Sequence, residues 1–172
     1  MKIDCVRVGS LEENCYIISK DGKCLVVDPG DEFDKIVNLI GNLDVLAILI
    51  THYHFDHVGA LEKMISKYNA IVYDFNNTEE KKYSVGPFEF EVIRNPGHTN
   101  DSISFYFKEN NFMMVGDFVF KESIGRCDLG GNEKDMKESI SKLKEFVKKI
   151  DLYPGHGNPT NLEYEKMYNP FF

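Results

Sequence analysis

Thr51-His52-Tyr53-His54-Phe55-Asp56-His57, entered directly from the apolar run Val45-Leu46-Ala47-Ile48-Leu49-Ile50, is the segment on which the reading of this chain turns. The apolar run has the length and composition of a buried strand and is too short to cross a membrane. Ligand-type side chains therefore crowd onto one strand-to-helix loop. In extended backbone His52 and His54, two residues apart, point to the same side, whereas the adjacent Asp56 and His57 diverge. One loop can thus serve two neighbouring metal positions. Imidazole nitrogens together with a carboxylate oxygen suit zinc, and equally iron or manganese. The plain alternative is a surface loop that happens to be rich in histidine.

The remaining histidines argue against that alternative. His98 lies in Asn95-Pro96-Gly97-His98-Thr99, after the alternating run Phe88-Glu89-Phe90-Glu91-Val92-Ile93, with Pro and Gly supplying loop chemistry. His156 lies in Tyr153-Pro154-Gly155-His156-Gly157, where the glycines permit a tight turn. Asp117 closes the apolar run Phe112-Met113-Met114-Val115-Gly116, and a carboxylate there is either a ligand or a helix cap. Each of these is an ordinary turn residue by itself. Together they are three further strand ends, each delivering one potential ligand, and they leave none of the five histidines for other work.

In this order, His-x-His-x-Asp-His, Gly-His-Thr, Gly-Asp and Pro-Gly-His-Gly resemble the metallo-β-lactamase superfamily. The similarity runs from about Asn14 through Asp28-Pro29-Gly30 to the C-terminus. Ile124-Gly125-Arg126-Cys127-Asp128-Leu129-Gly130-Gly131 and the tail Glu165-Lys166-Met167-Tyr168-Asn169-Pro170-Phe171 resemble its short glyoxalase II-like hydrolases. The resemblance implies an αβ/βα sandwich of two mixed sheets with outer helices. It implies that His52, His54 and His98 bind one metal, that Asp56, His57 and His156 bind a second, and that Asp117 bridges them. Two zinc ions are the expected cofactor, with iron or manganese as alternatives. Asp56 and Asp117 would then be catalytic as well as ligating, around a metal-held hydroxide whose pKa falls to about 7. Asp28 would orient a ligand, or else simply cap a turn before Pro29. Arg126 would clamp a substrate carboxylate, or else pair with Asp128.

Composition narrows the partners. The chain has 172 residues, 42% of them hydrophobic, which suffices for one domain spanning 1–172 with a real core. Its net charge of −8 offers no broad attraction to phosphate backbones, so nucleic acid is not an expected partner. The charged start Met1-Lys2-Ile3-Asp4 lacks a signal-peptide pattern, and no segment has the length of a membrane span. A cytoplasmic enzyme with a small-molecule substrate is the expectation, its oligomeric state open. Cys5, Cys15 and Cys24 interrupt strand-like stretches and read as buried free thiols, while Cys127 belongs to the Gly-Arg-Cys-Asp loop.

Strands are predicted over Lys2–Val8, Cys15–Ser19, Cys24–Asp28, Val45–Ile50, Ala70–Tyr73, Phe88–Ile93, Ser102–Lys108, Phe112–Val115 and Ile150–Tyr153, and helices over Glu32–Ile40, Ala60–Tyr68 and Glu133–Lys149. In the last helix Met136, Ile140, Leu143, Val147 and Ile150 recur at helical spacing, and Asn132 with Asp135 signals its start. Asn110-Asn111 predicts a hairpin. The halves are expected to divide near Tyr83–Val85, with Phe75–Lys82 as a solvated connection.

The functional expectation is a metal-dependent hydrolase of a thioester or related small acyl substrate. A mononuclear iron persulfide dioxygenase, using His52, His98 and Asp117, and a metal-binding module without turnover are the alternatives. Glyoxalase II proper has a C-terminal helical domain that contributes to its glutathione site. This sequence stops soon after the last metal motif, so weak saturation by glutathione thioesters is expected.

Overall fold

The central strands of this chain are buried on both faces, and the computed structural model, which describes residues 1–147 and 149–172, shows the cause: each of the two large sheets is covered on both sides. The first half runs β1 (Lys2–Val8), β2 (Glu13–Lys20), β3 (Lys23–Val27), α1 (Phe33–Ile40), β4 (Asp44–Leu49), α2 (Phe55–Val58), α3 (Leu61–Tyr68) and β5 (Ile71–Tyr73). These strands form a five-stranded sheet in the order β1-β2-β3-β4-β5. β1, β2 and β3 pair antiparallel; β3, β4 and β5 pair parallel through the crossover helices.

The second half contains β6 (Lys82–Val85), β7 (Phe88–Arg94), β8 (Ile103–Phe107), β9 (Phe112–Gly116), β10 (Val119–Phe120), β11 (Ser123–Ile124), α4 (Glu133–Lys144), β12 (Asp151–Pro154), β13 (Thr160–Asn161) and α5 (Leu162–Tyr168). Its main sheet is six-stranded, in the order β13-β12-β9-β8-β7-β6, with β12 parallel to β9 and its other neighbours antiparallel. β10 and β11 form a separate two-stranded ribbon.

Side-chain alternation sorts the core into layers. Along β2 and β3, Cys15, Ile17, Cys24 and Val26 face α1 and α3, whereas Tyr16, Ile18, Leu25 and Val27 face the other sheet. On β4 the alternation slips: Cys24 pairs with Val45 but Leu25 with Ala47, a bulge that turns both Leu46 and Ala47 toward the inter-sheet layer. Phe88, Phe90, Phe105 and Phe107 fill that layer from the second sheet, and Phe90 meets Phe105 edge-on at 5.6 Å. Met136, Ile140 and Leu143 of α4 and Leu162 of α5 cover the outer face. The arrangement is helix, sheet, sheet, helix, the sandwich expected from the sequence.

Boundaries shift where local chemistry escaped the pattern. β6 is an edge strand of the second sheet, so the halves divide before Lys82 and not at Tyr83–Val85. The segment from Phe75 is no mere solvated connection: Thr78 is buried, the Arg94 guanidinium lies 3.8 Å over the Phe75 ring, and Arg94 donates to the Phe75 and Thr78 carbonyls. Asn132 caps α4 as predicted, its side chain accepting from Asp135 N. That helix ends at Lys144, not Lys149; Lys148, on which the predicted continuation falls, lies outside the described residues. Val147 therefore leaves the stripe and is 97% exposed, while Ile150 is buried from its own position before β12. Cys5 is exposed rather than buried, unlike Cys15 and Cys24. The Asn110-Asn111 hairpin is present, as a 3₁₀ turn over Lys108–Asn110 followed by Asn111 in the left-handed region.

Leu143→Ala should cost about 2–5 kcal/mol by cavity formation, whereas Val147→Ser should change stability by no more than about 0.5 kcal/mol. Urea unfolding of both variants checks whether the apolar stripe ends where α4 does.

Candidate metal centre

Parallel pairing makes the site. Because β3 lies parallel to β4 and β9 parallel to β12, the C-terminal ends of all four open onto one edge of the sandwich. Asp28 follows β3, Thr51 to His57 follow β4, Asp117 follows β9 and His156 follows β12, with His98 in the β7–β8 connection. The two halves are stitched together at this edge. Ile103 N donates to the Thr51 carbonyl (2.9 Å) and Asn14 N to that of Gly155 (2.7 Å), while within the second half Gly155 N donates to the Gly116 carbonyl (2.9 Å). The Asn14 side chain donates to the Pro154 and Gly157 carbonyls, and Tyr16 Oη to that of Pro154.

All seven predicted ligands come together. His52, His54 and His98 form one group, and Asp56, His57 and His156 a second, in each of which the potential ligand atoms lie within 4.8 Å of one another. Asp117 stands between them: its Oδ1 is 3.4 Å from His57 Nε2, and its Oδ2 is 3.5 Å from His98 Nε2 and 3.6 Å from His156 Nε2. His156 Nε2 is 3.2 Å from Asp56 Oδ2, and His98 Nε2 is 3.0 Å from His54 Nδ1. Donor atoms about 2.1 Å from one tetrahedral ion sit roughly 3.4 Å apart, so these spacings fit metal-binding groups.

Every imidazole has its far nitrogen engaged. His57 Nδ1 lies 3.0 Å from Asp28 Oδ2, His98 Nδ1 2.6 Å from the Arg126 carbonyl and His156 Nδ1 3.1 Å from the Leu11 carbonyl. His54 Nε2 lies 3.0 Å from the Leu129 carbonyl, and His52 Nδ1 3.1 Å from Thr51 Oγ1. Acceptors at those positions fix the tautomer and leave the other nitrogen bare toward the common space. His52 Nε2, His57 Nε2 and Asp117 Oδ1 are buried there without a hydrogen-bond partner. Orphaned buried polar atoms of this kind are costly unless something binds them. The donor set fits a pair of cations.

Electrostatics agrees. No lysine or arginine among the described residues lies within ion-pair distance of Asp28, Asp56 or Asp117, and their charge is met only by histidines. Burial alone would raise Asp117, but the adjoining His57 outweighs it and holds Asp117 well below the usual carboxylate range. Burial, with His57 beside it, pushes His52 well below the usual imidazole range, and burial lowers His98 as well. Both therefore stay neutral, the state that binds metal. Burial also opposes charge on His57, yet Asp117 and Asp28 outweigh it and raise that imidazole.

Asp28 stands between Thr51 and His57. Its Oδ1 accepts from Thr51 N (2.8 Å), and its Oδ2 from Thr51 Oγ1 (2.6 Å) and faces His57 Nδ1. Asp117 caps no helix. Arg126 takes the ion-pair alternative, donating from Nε and Nη2 to the two Asp128 carboxylate oxygens at 2.6 Å each. Gly155 is required by crowding: a Cβ there would sit 2.3 Å from Asp117 Oδ1 and 2.5 Å from His57 Cε1.

One participant escaped the sequence reading. Glu13, at the start of β2, is fully buried with both carboxylate oxygens unpartnered and Oε1 3.9 Å from His57 Nδ1. Burial pushes it well above the usual carboxylate range. A glutamate beside a polar turn carries no signal of burial. Only its bridge to His156, across the chain, places it beneath the site.

The profile of the metallo-β-lactamase superfamily matches residues 8–81 and 68–156, and the chain belongs to that superfamily. Among its relatives, the probable metallo-hydrolase YqgX of Bacillus subtilis is 33% identical, the match covering 99% of this chain and 97% of YqgX. The hydroxyacylglutathione hydrolase GloC of Haemophilus influenzae is 28% identical over 99% and 98% of the two chains. The crystal structure of the BLEG-1 B3 metallo-β-lactamase superposes with a TM-score of 0.94 at 28% identity, covering 99% of each chain. That of TTHA1623 in a di-iron-bound form gives 0.89 at 31% identity, covering 98% of this chain and all of the other.

If Asp28 acts by holding His57, Asp28→Asn should keep the Thr51 amide bond and lose the acceptor for His57 Nδ1. Affinity for the second metal equivalent should then fall about 10- to 100-fold, with the first retained. Metal titration, with circular dichroism to confirm folding, reads this directly.

Proposed function

We propose that this chain is a dinuclear metal-dependent hydrolase of a thioester or related small acyl substrate, glyoxalase II-like in chemistry, with residues 1–172 acting as one metallo-β-lactamase-like domain in the cytoplasm. The observation that carries the reading is the completeness of both ligand groups around a shared Asp117. His52, His54 and His98 would hold one cation, and Asp56, His57 and His156 the other, zinc being the ion these donors suit and iron or manganese alternatives. When bound, such cations supply Lewis acidity and bring the pKa of coordinated water to about 7 from 15.7.

The protein's own groups do the rest. Asp117 is held as a carboxylate facing both groups, and Asp56 reaches the same space from the α2 turn, which makes these the two carboxylates assigned to the catalytic centre. Asp28 and the Leu11, Arg126 and Leu129 carbonyls keep the imidazoles in register. A cavity of about 570 Å³ opens above, lined by His54, Asp56, His98, Asp117 and His156 and bordered by apolar side chains. Arg126 borders it with its guanidinium paired to Asp128. Burial and the nearby Glu133 and Asp128 push the Cys127 thiol up, away from the thiolate, and the proposed chemistry gives it no part. GloC, matched over nearly the whole of both chains, is named a hydroxyacylglutathione hydrolase, which supports the reading. A mononuclear iron dioxygenase would leave Asp56, His57 and His156 without work, and a non-catalytic module would have no use for a substrate-sized cavity over a full ligand set.

Elemental analysis of metal-replete protein should give two equivalents; a ceiling of one iron would favour the dioxygenase. Asp117→Ala should abolish turnover, lowering kcat by at least about a hundredfold, whereas Arg126→Ala, which loses only a pair with Asp128 at the rim, should leave kcat nearly unchanged. A small thioester should be hydrolysed without oxygen, and oxygen uptake coupled to persulfide loss with no thioester turnover would replace this reading.

A further inference from the structure

The cavity above the metal ligands has a wall unlike the rest of the surface. Leu11, Phe55 and Leu129 are 52%, 74% and 50% exposed, and all three border it together with Phe120, whose ring meets His156 edge-on. They come from separate segments: the β1–β2 turn, the first position of α2, the ribbon and the loop before α4. Four large apolar side chains converging on one opening from four segments are no accident of composition in a chain of net charge −8. Two of them are tied to the chemistry, because the Leu11 carbonyl faces His156 Nδ1 and the Leu129 carbonyl faces His54 Nε2. The loops that orient ligand imidazoles thus also carry the collar.

The charged part of the wall points the same way. Arg126 is the cation of the lining among the described residues, and its Nε and Nη2 are already bidentate on Asp128. A substrate carboxylate would have to displace Asp128 while remaining beside it, at a like-charge cost. Asp56 and Asp117 line the floor.

We infer that Leu11, Phe55, Phe120 and Leu129 form the specificity wall of the site and select substrates whose acyl group is an uncharged aliphatic chain. The inference rests on the thioester reading for its chemistry but concerns binding, so the two are separable. The experiment uses the metal-loaded protein and N-acetylcysteamine thioesters with acetyl, butyryl, hexanoyl and succinyl groups. Calorimetric titration with the matching S-alkyl thioethers, which cannot be hydrolysed, is run alongside. The expected result is kcat/KM and thioether affinity both rising about threefold per added methylene from two to six carbons, with the succinyl ester poorest. Phe55→Ser, and separately the Leu11→Ser/Leu129→Ser pair, should flatten the chain-length dependence while metal content and circular dichroism stay unchanged; the leucine variants keep the carbonyls that face the histidines. Chain-length-dependent thioether binding with no hydrolysis of any thioester would remove the thioesterase reading and leave the wall standing. A flat series in both assays, a preference for succinyl, or an unaltered dependence in the serine variants would overturn the inference.

Discussion

The Asp28 carboxylate is the tether on which the rest of the site depends. It ends β3 in the left-handed region of backbone space (φ 46°), a conformation that costs an L-residue of order 1 kcal/mol or more. What holds it there is a set of bonds to both the backbone and hydroxyl of Thr51 and to the His57 ring. One small acid therefore ties the end of β3 to the end of β4 and orients a histidine from α2. Replacing it by an apolar group would leave a buried amide, a hydroxyl and an imidazole without their acceptor.

Chain topology then turns local bonds into a centre shared by two halves. Ends of parallel strands lie at the same edge by construction, and the site draws on a parallel pair from each sheet, β3 with β4 and β9 with β12. Ligands from the two halves meet because those edges are joined through Asn14, Tyr16 and Gly155. Close approach is permitted by the absence of side chains: Gly116, at φ 52°, abuts Thr51, and Gly155 abuts Asp117 and His57.

The ligands were legible because their chemistry has few other uses. Histidines on glycine- and proline-marked loops after apolar strands stand out, and all five converge. Long strands were readable from apolar runs, as in β2 and β4, or from alternation, as in β7. Short elements were not: β6, β10, β11 and β13 draw their strand character from neighbours rather than from pattern. Val147 kept helical spacing beyond a helix that had already ended, since periodicity registers a face and not a terminus. Glu13 was invisible, because burial of a carboxylate is a property of what surrounds it. Arg126 had two sensible partners in the sequence, and only geometry chose Asp128.

The isolated bridge between Glu13 and His156 joins the start of the chain to its last ligand. Long-range closures of this kind carry their entropy cost before any compensating contact forms. During synthesis the His52–His57 loop is complete early, yet the strand that must receive His156 waits for the remainder of the second half. The second ligand group is therefore the last part of the centre to assemble, and a nascent chain passes through a stage in which Glu13, Asp28 and Asp56 are present without it. Closure of that group is therefore tied to completion of the whole sandwich, because the bridge that seats His156 cannot form until β12 has docked beside β9.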